Sequence, residues 1–279
     1  MIRFIDLPDA HPGRRILSGR TPLFAAPSEP RCSYTTYVPG CYDWERRPRV
    51  LVAVHGTGRD VERTRDRFRA LAEEQGLIVV APLFPAGLDD PDDLHNYKVL
   101  EYSTIRFDLV LLRILDEVTQ RWNARTSEVL LCGHSGGAQF AHRFWYLHPE
   151  RVAAAAFSAP GRVTLVDDTI DWPSGTRDTA ARFGIRVEPD ALRSTPVHLV
   201  IGADDRGEAD LAATAAATPD QPGRTRLERL SALEDNLRNH GISTSKNIVP
   251  AAGHDADATA PAIARFFGDL PIPGRSTPE

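Results

Sequence analysis

Ser135 lies in LLCGHSGGAQF, residues 130–140, with Gly133 two positions before it and Gly137 two after. The pattern G-x-S-x-G falls between an apolar, strand-like run and a helix-like one. Glycines at those positions let strand and helix approach closely around a strained turn. The serine's own N–H then lies at a helix N-terminus, where developing negative charge is favoured. A serine hydroxyl is a poor nucleophile until a base takes its proton. The usual base is a histidine, held in tautomer and orientation by a carboxylate. Two later apolar runs end in such groups: PVHLVIG leads into Ala203-Asp204-Asp205, and TSKNIVP into Ala251-Ala252-Gly253-His254-Asp255. An earlier run, RVLVAV, leads into His55-Gly56-Thr57-Gly58. The chemistry open to these residue types is covalent catalysis by an activated serine.

Elements must carry these residues to one place. SYTTYV (33–38), RVLVAVHG (49–56), LIVVAPL (77–83), EVLLCG (128–133), RVAAAAFS (151–158), PVHLVIG (196–202) and TSKNIVP (244–250) read as strands. Several are continuous apolar runs, the mark of a strand buried on both faces. Between them the spacing predicts a helix over 61–75 capped by Asp60 and stopped by Gly76, and a long helix opening at Ser103. The apolar face of that second helix is Ile105, Leu109, Leu112, Leu115, Val118 and Trp122. Further helices are expected from Gly136 to Leu147, through RTRLERLSALEDNLRNHG, and around PAIARFFGDL. Buried strands alternating with amphipathic helices imply an α/β fold with a mostly parallel sheet covered on both faces. Ligands in such sheets bind beyond the carboxyl ends of the strands. Residues 1–30 read as an extended surface arm, and the whole of 1–279 as a single domain.

The bulk properties narrow the function. The chain has 279 residues, 42% hydrophobic and 25% charged, which is the make-up of a globular protein with a substantial core. A net charge of −5 offers no basic face for nucleic acid or an anionic membrane. No apolar stretch approaches a bilayer span, and the first residues lack the apolar core of a secretory signal, so a cytoplasmic location is the expectation. Cys32, Cys41 and Cys132 do not make a disulfide framework; Cys32 and Cys41 could face each other across a hairpin, but a bridge is not expected. No G-x-G-x-x-G follows an early strand, which argues against a dinucleotide enzyme.

From about residue 33 to 268 the chain resembles the α/β-hydrolase superfamily, on HGTG (55–58), GHSGG (133–137), GADD (202–205) and AGHD (252–255). Within it the likeness is to bacterial esterases of the polyhydroxybutyrate-depolymerase and feruloyl-esterase kind. The resemblance implies an α/β-hydrolase fold with Ser135 as nucleophile, His254 as general base and later acid, and Asp205 as the orienting carboxylate. Asp205 rather than Asp204 follows from the family's glycine-to-acid spacing after Gly202. The backbone N–H groups of Thr57 and Gly136 would form the oxyanion hole, each such donor being worth on the order of 3 kcal/mol in other enzymes. No cofactor or metal is required. The expected substrate is a small-molecule or oligomeric ester; peptidase, lactonase and acyltransferase share the machinery, and a non-catalytic ligand-binding member of the fold is the other class.

Remaining features have plainer readings. His95, His148 and His240 lie at loops or helix ends and read as surface residues. DDPDDLH (89–95) reads as a solvated acidic loop rather than a metal site. Arg224, Arg226 and Arg229 read as the solvent face of a helix whose inner side is Leu227, Leu230 and Leu233, the sharper alternative being an arginine that grips a substrate carboxylate. A cap-like insertion spans about 159–195. Its Trp172 and Phe183 are candidates to wall a substrate pocket, against the alternative that they pack the insertion onto the body. The insertion is short for a closed lid, so an accessible cleft is expected.

Overall fold

The computed structural model describes residues 3–8, 10–207 and 221–271. The chain opens with short strands β1 (Gly19–Arg20) and β2 (Phe24–Ala26), then the long β3 (Glu29–Val38). The inner strands are β4 (Arg49–Val54) and β5 (Ile78–Leu83). A small separate hairpin follows, β6 (Glu101–Tyr102) with β7 (Ile105–Arg106), and then β8 (Arg125–His134), β9 (Val152–Ser158), β10 (Val197–Gly202) and β11 (Thr244–Val249). Among the described residues these build a nine-stranded sheet in the order β1-β3-β5-β4-β8-β9-β10-β11, with β2 also paired to β3. From β5 to β11 every neighbouring pair is parallel, while β3 runs antiparallel to β5, β1 and β2.

Both faces of the inner parallel strands β5, β4, β8, β9 and β10 are covered, which is why they are apolar without alternation, whereas the edge strand β11 is largely exposed. Val50, Val52 and Val54 of β4 join Val129 and Leu131 of β8 in one core layer. Leu51, Ala53, Leu130 and Cys132, on the opposite pleat, join the other. The first layer is closed by α4 (Phe107–Trp122), α5 (Gly136–Leu147) and α8 (Arg226–Asn239). The second is closed by α3 (Arg69–Gln75) and α9 (Ala256–Gly268). Short helices α1 (Gly13–Ile16), α2 (Val61–Asp66), α6 (Thr179–Phe183) and α7 (Pro189–Leu192) complete the set described.

The first thirty residues are not a surface arm. Phe4, Leu7, Leu17 and Ala26 are buried, and the Trp122 indole donates to the carbonyl of Leu17 at 2.9 Å. Proline and polar side chains there hide a two-strand addition to the sheet edge. The helix expected over 61–75 is two helices, α2 and α3, broken at Arg67-Phe68, with Gly76 as a left-handed C-cap at φ 66°. Asp60 makes no side-chain cap bond. Helix α4 begins at Phe107, not Ser103, because Ser103 sits at φ 53° in the turn of the β6–β7 hairpin. Its inner face is rotated from the expected one: Leu109 is 45% exposed, while Phe107, Val110, Leu111, Ile114, Leu115, Val118 and Trp122 are buried. LVLLRIL is apolar nearly all round, so spacing alone does not choose the face. Helix α9 starts five residues before Pro261, capped by the Asp255 side chain on Asp257 N–H at 2.8 Å. Cys32 is buried, Cys41 is exposed, and both are free thiols.

The rotated face has a measurable consequence. Leu111→Ala is expected to cost about 2–5 kcal/mol in chemical denaturation, as core truncations do, and Leu109→Ala no more than about 0.5 kcal/mol. Equal losses would return the face to the one the spacing suggested.

Candidate active site

Backbone contact sets the position of Ser135. A Cβ on Gly133 would lie 2.2 Å from the carbonyl carbon of Gly137, and one on Gly137 would lie 2.1 Å from the carbonyl oxygen of Val54. The end of β8, the first turn of α5 and the end of β4 therefore touch main chain to main chain, and only glycine fits. Between them Ser135 is held at φ 56°, ψ −115°, a conformation that costs a non-glycine residue on the order of 1–3 kcal/mol. Its N–H is tied to the carbonyl of Ser158 at 2.8 Å. The side chain is left half-buried in a cleft of about 570 Å³ over the strand ends.

The loop after β4 closes on this turn. A Cβ on Gly56 would lie 3.7 Å from Ser135 Cβ, and one on Gly136 would lie 3.2 Å from the Thr57 nitrogen. The amides of Thr57 and Gly136 are thus neighbours beside Ser135, and Gly136 belongs to a helical first turn whose N–H groups lack intrahelical acceptors. His55 pins the loop from beneath. Its Nε2 accepts from Phe84 N–H at 3.0 Å, so its Nδ1–H donates to the Gly56 carbonyl at 2.8 Å. Tyr97 donates to the His55 carbonyl at 2.9 Å. Full burial lowers the His55 pKa to about 4, which keeps the ring neutral and this wiring constant.

Asp205 and His254, 49 residues apart in sequence, meet at the ends of β10 and β11: Asp205 Oδ2 accepts from His254 Nδ1 at 2.6 Å. Asp205 is 3% exposed, whereas Asp204 points to solvent. Burial alone would raise the Asp205 carboxyl. The hydrogen bond and charge of His254, with those of Arg226, outweigh it and hold the group below the usual range. The His254 ring lies over His134, centroids 4.6 Å apart. Thr259 donates to the Asp255 carbonyl and Ser158 to Thr259 Oγ1, so His134 Nδ1 carries the proton it shares with Ser158 Oγ at 3.0 Å. Burial, with His254 adding to it, lowers the His134 pKa to about 3. His254 therefore rests on a neutral ring, its own side chain 30% exposed in the cleft that holds Ser135.

Several side chains have other places than the sequence suggested. Arg226 and Arg229 are buried. Arg226 Nη1 donates to Asp205 Oδ1 at 3.0 Å, and Arg229 donates to the carbonyls of Gly161 and Gly223. The signal was present: Arg226, Arg229, Leu230, Leu233 and Leu237 form one stripe of α8, and its first two positions are arginines. Trp172 and Phe183 do not line the cleft. They pack on each other edge to face at 5.0 Å, and the Trp172 indole donates to the Val99 carbonyl at 3.1 Å. From the insertion it is Gly161 and Arg162 that reach the cleft. His148 is buried against Asp108 at 2.9 Å and His240 is half-buried on the Val166 carbonyl, so neither is a surface residue. His95 is exposed and lines the cleft. Its neighbour Lys98, which no pattern in the sequence marks, is buried there. Among the described residues no group of three or more His, Cys, Asp or Glu side chains is placed to hold a metal ion, and no helix is long and apolar enough to cross a membrane.

No protein-family model matches the chain, and no curated protein matches it by sequence. Solved structures do match. A poly(3-hydroxybutyrate) depolymerase from Bordetella parapertussis superposes with a TM-score of 0.72 at 24% identity, over 91% of this chain and 92% of that one. Poly(aspartic acid) hydrolase-1 from Sphingomonas sp. KT-1 superposes with a TM-score of 0.71 at 21% identity, over 91% and 98%. A carboxylesterase from Mesorhizobium loti gives 0.57 at 18% identity, over 89% and 99%. The fold is that of the α/β-hydrolases.

The backbone contact predicts that Gly137→Ala destabilises the protein by about 3 kcal/mol or more, since nothing at the site can yield without moving a strand end. Gly58→Ala, where an added Cβ meets nothing within 4 Å, serves as the control. Denaturation midpoints compared across wild type and the two variants check it.

Proposed function

We propose that the protein is a serine hydrolase that cleaves carboxylic esters through an acyl-enzyme. One observation carries the reading: a strained, half-exposed Ser135 with two adjacent amides beside it shares one cleft with His254, whose ring is hydrogen-bonded from behind to buried Asp205. The fold shared with solved esterases and depolymerases supports it by analogy.

In this mechanism Ser135 Oγ attacks the ester carbonyl while His254 Nε2 takes its proton. The resulting imidazolium keeps Nδ1–H on Asp205, whose charge Arg226 holds in place. The carbonyl oxygen becomes an oxyanion between the N–H groups of Thr57 and Gly136, in position before the reaction begins. His254 then returns the proton to the departing alkoxide, which leaves Ser135 acylated. A water molecule, deprotonated by His254, repeats the sequence and frees the acid. The conformational strain at Ser135 is met by the folded core, so the hydroxyl needs no further reorganisation to reach the carbonyl.

The test is covalent labelling by a fluorophosphonate, read by intact mass, together with turnover of a simple alkyl ester. Wild type forms a single adduct, Ser135→Ala forms none, and His254→Ala labels more slowly. Asp205→Asn is expected to lower kcat by on the order of 10⁴-fold, as loss of the orienting carboxylate does in serine proteases. A folded wild type that neither labels nor turns over ester would make the cleft a ligand-binding pocket instead.

A further inference from the structure

The cleft is not electrostatically even. On the wall formed by α2 and α9, Arg63 and Arg67 both pair with Asp257 and Arg67 also reaches Asp60, so two carboxylates balance two guanidinium groups. The opposite wall is formed by the loop after β4, the segment around residues 95–98, and the start of the insertion. It carries Arg59, Lys98 and Arg162. Behind it stands Arg143, fully buried, whose hydrogen bonds go to Thr164 Oγ1 and the carbonyls of Lys98 and Pro173. Among the described residues Arg59 donates to the carbonyls of Thr57, Phe84 and Leu94 and to Asn96 Oδ1, all neutral acceptors. Asp93, whose charge acts on Arg59 and Lys98, accepts from the His95 backbone at 3.1 Å and from neither of these two cations.

Lys98 is the centre of this wall. It is 3% exposed, and a Cβ on Gly136 would lie 2.7 Å from its Cε. Its ammonium donates to Thr57 Oγ1 at 2.7 Å and to His95 Nδ1 at 2.5 Å. Both acceptors are neutral, and the third N–H has no acceptor among the described residues. An ammonium this buried is stable only with a full set of partners and, best, with an opposite charge. Its position also says which part of a substrate it meets. The leaving alcohol collects its proton from His254, whose neighbours are Asp205 and His134. Lys98 has a separate set, Thr57, Gly136 and His95.

We infer that the cleft selects esters whose acyl chain bears a carboxylate, bound by Lys98 beside Arg59; this rests on the hydrolase reading above. The same burial that demands a partner makes the wall sensitive to pH. Desolvation, with the nearby charges of Arg59, Arg162 and Arg143, lowers the Lys98 pKa to about 7, against a smaller opposing pull from Asp93. Partial desolvation of its ring against the cleft wall, with the charge of Lys98, lowers the His95 pKa to about 4 although its outer edge reaches solvent, so it stays neutral above pH 6. Tyr97, on the same segment, is pushed up by burial and also stays neutral. A substrate carboxyl of ordinary pKa is ionised throughout this range. Lys98 is therefore cationic below about pH 7 and loses its charge above it, so preference for the anionic ester must fall as pH rises.

The experiment compares kcat/KM for monoethyl succinate with that for ethyl 4-methylpentanoate, which places an isopropyl group where the first has a carboxylate. Ethanol release is followed at pH 6 and pH 8.5, and the result is read as a ratio, so that any pH dependence common to the two esters cancels. The expected ratio for wild type at pH 6 favours the half-ester by about ten-fold or more, the range of one charge-assisted hydrogen bond. It shrinks by pH 8.5, collapses in Lys98→Met, and is largely kept in Lys98→Arg. If Lys98→Met does not fold, the wild-type ratio and its pH trend decide alone. A ratio near one in wild type overturns the inference, as does a ratio that survives in Lys98→Met. So does turnover of neither ester by protein that forms the fluorophosphonate adduct. Absence of that adduct on folded wild type is the separate result that removes the hydrolase reading itself.

Discussion

The contact of three main chains at Gly133, Gly137 and Val54 is the constraint on which the rest of the site depends. Strand β8 cannot turn into α5 at this angle unless two side chains are absent, and the residue caught between them has to take a left-handed φ. The turn puts Ser135 above the sheet, aims the first amides of α5 at the same point, and leaves space for the loop after β4 to lay Thr57 beside Gly136. Each of these positions follows from one close approach. The energy that holds Ser135 in its unfavourable conformation comes from the packed strands on either side, where β4, β8 and β9 are buried on both faces.

A second level of order comes from buried charge. Arg226 reaches from the first turn of α8 to Asp205, so the carboxylate is gripped on one oxygen by a guanidinium and on the other by His254. Arg143 does comparable work on the far side of α5. From α5 it ties together the Lys98 backbone, Thr164 and Pro173, joining the insertion to the segment that forms one wall of the cleft. Fully buried cations with neutral acceptors are costly to a fold. Two buried cations with neutral acceptors, Arg143 and Lys98, stand on one side of the cleft, a placement that a net charge of −5 would not lead one to expect.

How much of this could be read beforehand varied with the physical origin of each feature. The inner strands were legible because burial on both faces removes alternation and leaves unbroken apolar runs. Ser135, Asp205 and His254 were legible as strand-end residues in a patterned order, and the geometry brings Asp205 and His254 into contact. The face of α4 was not legible, since a segment apolar on almost every side has no preferred direction until its neighbours are placed. Arg226 and Arg229 read as solvent-facing because charge outweighed position, although they continue the inner leucine stripe of α8. Trp172 and Phe183 were open to two readings, pocket wall or packing of the insertion onto the body, because large aromatics serve both; contact between them and with the Val99 carbonyl selects packing.

The sequence by itself determined what is local in cause: periodicity for strands and helices, glycines wherever backbone would collide, and the order of chemically capable residues along the chain. Those depend on neighbours a few positions away, and a linear pattern can hold them. Only the tertiary structure decided which charges face the cleft and which are neutralised. Arg63 and Arg67 meet Asp257 from some 190 positions away, while Lys98, in an unpatterned loop, arrives beside Gly136 with no acid bonded to it. Electrostatic pairing depends on distance in space and on burial. Neither is encoded in spacing along the chain.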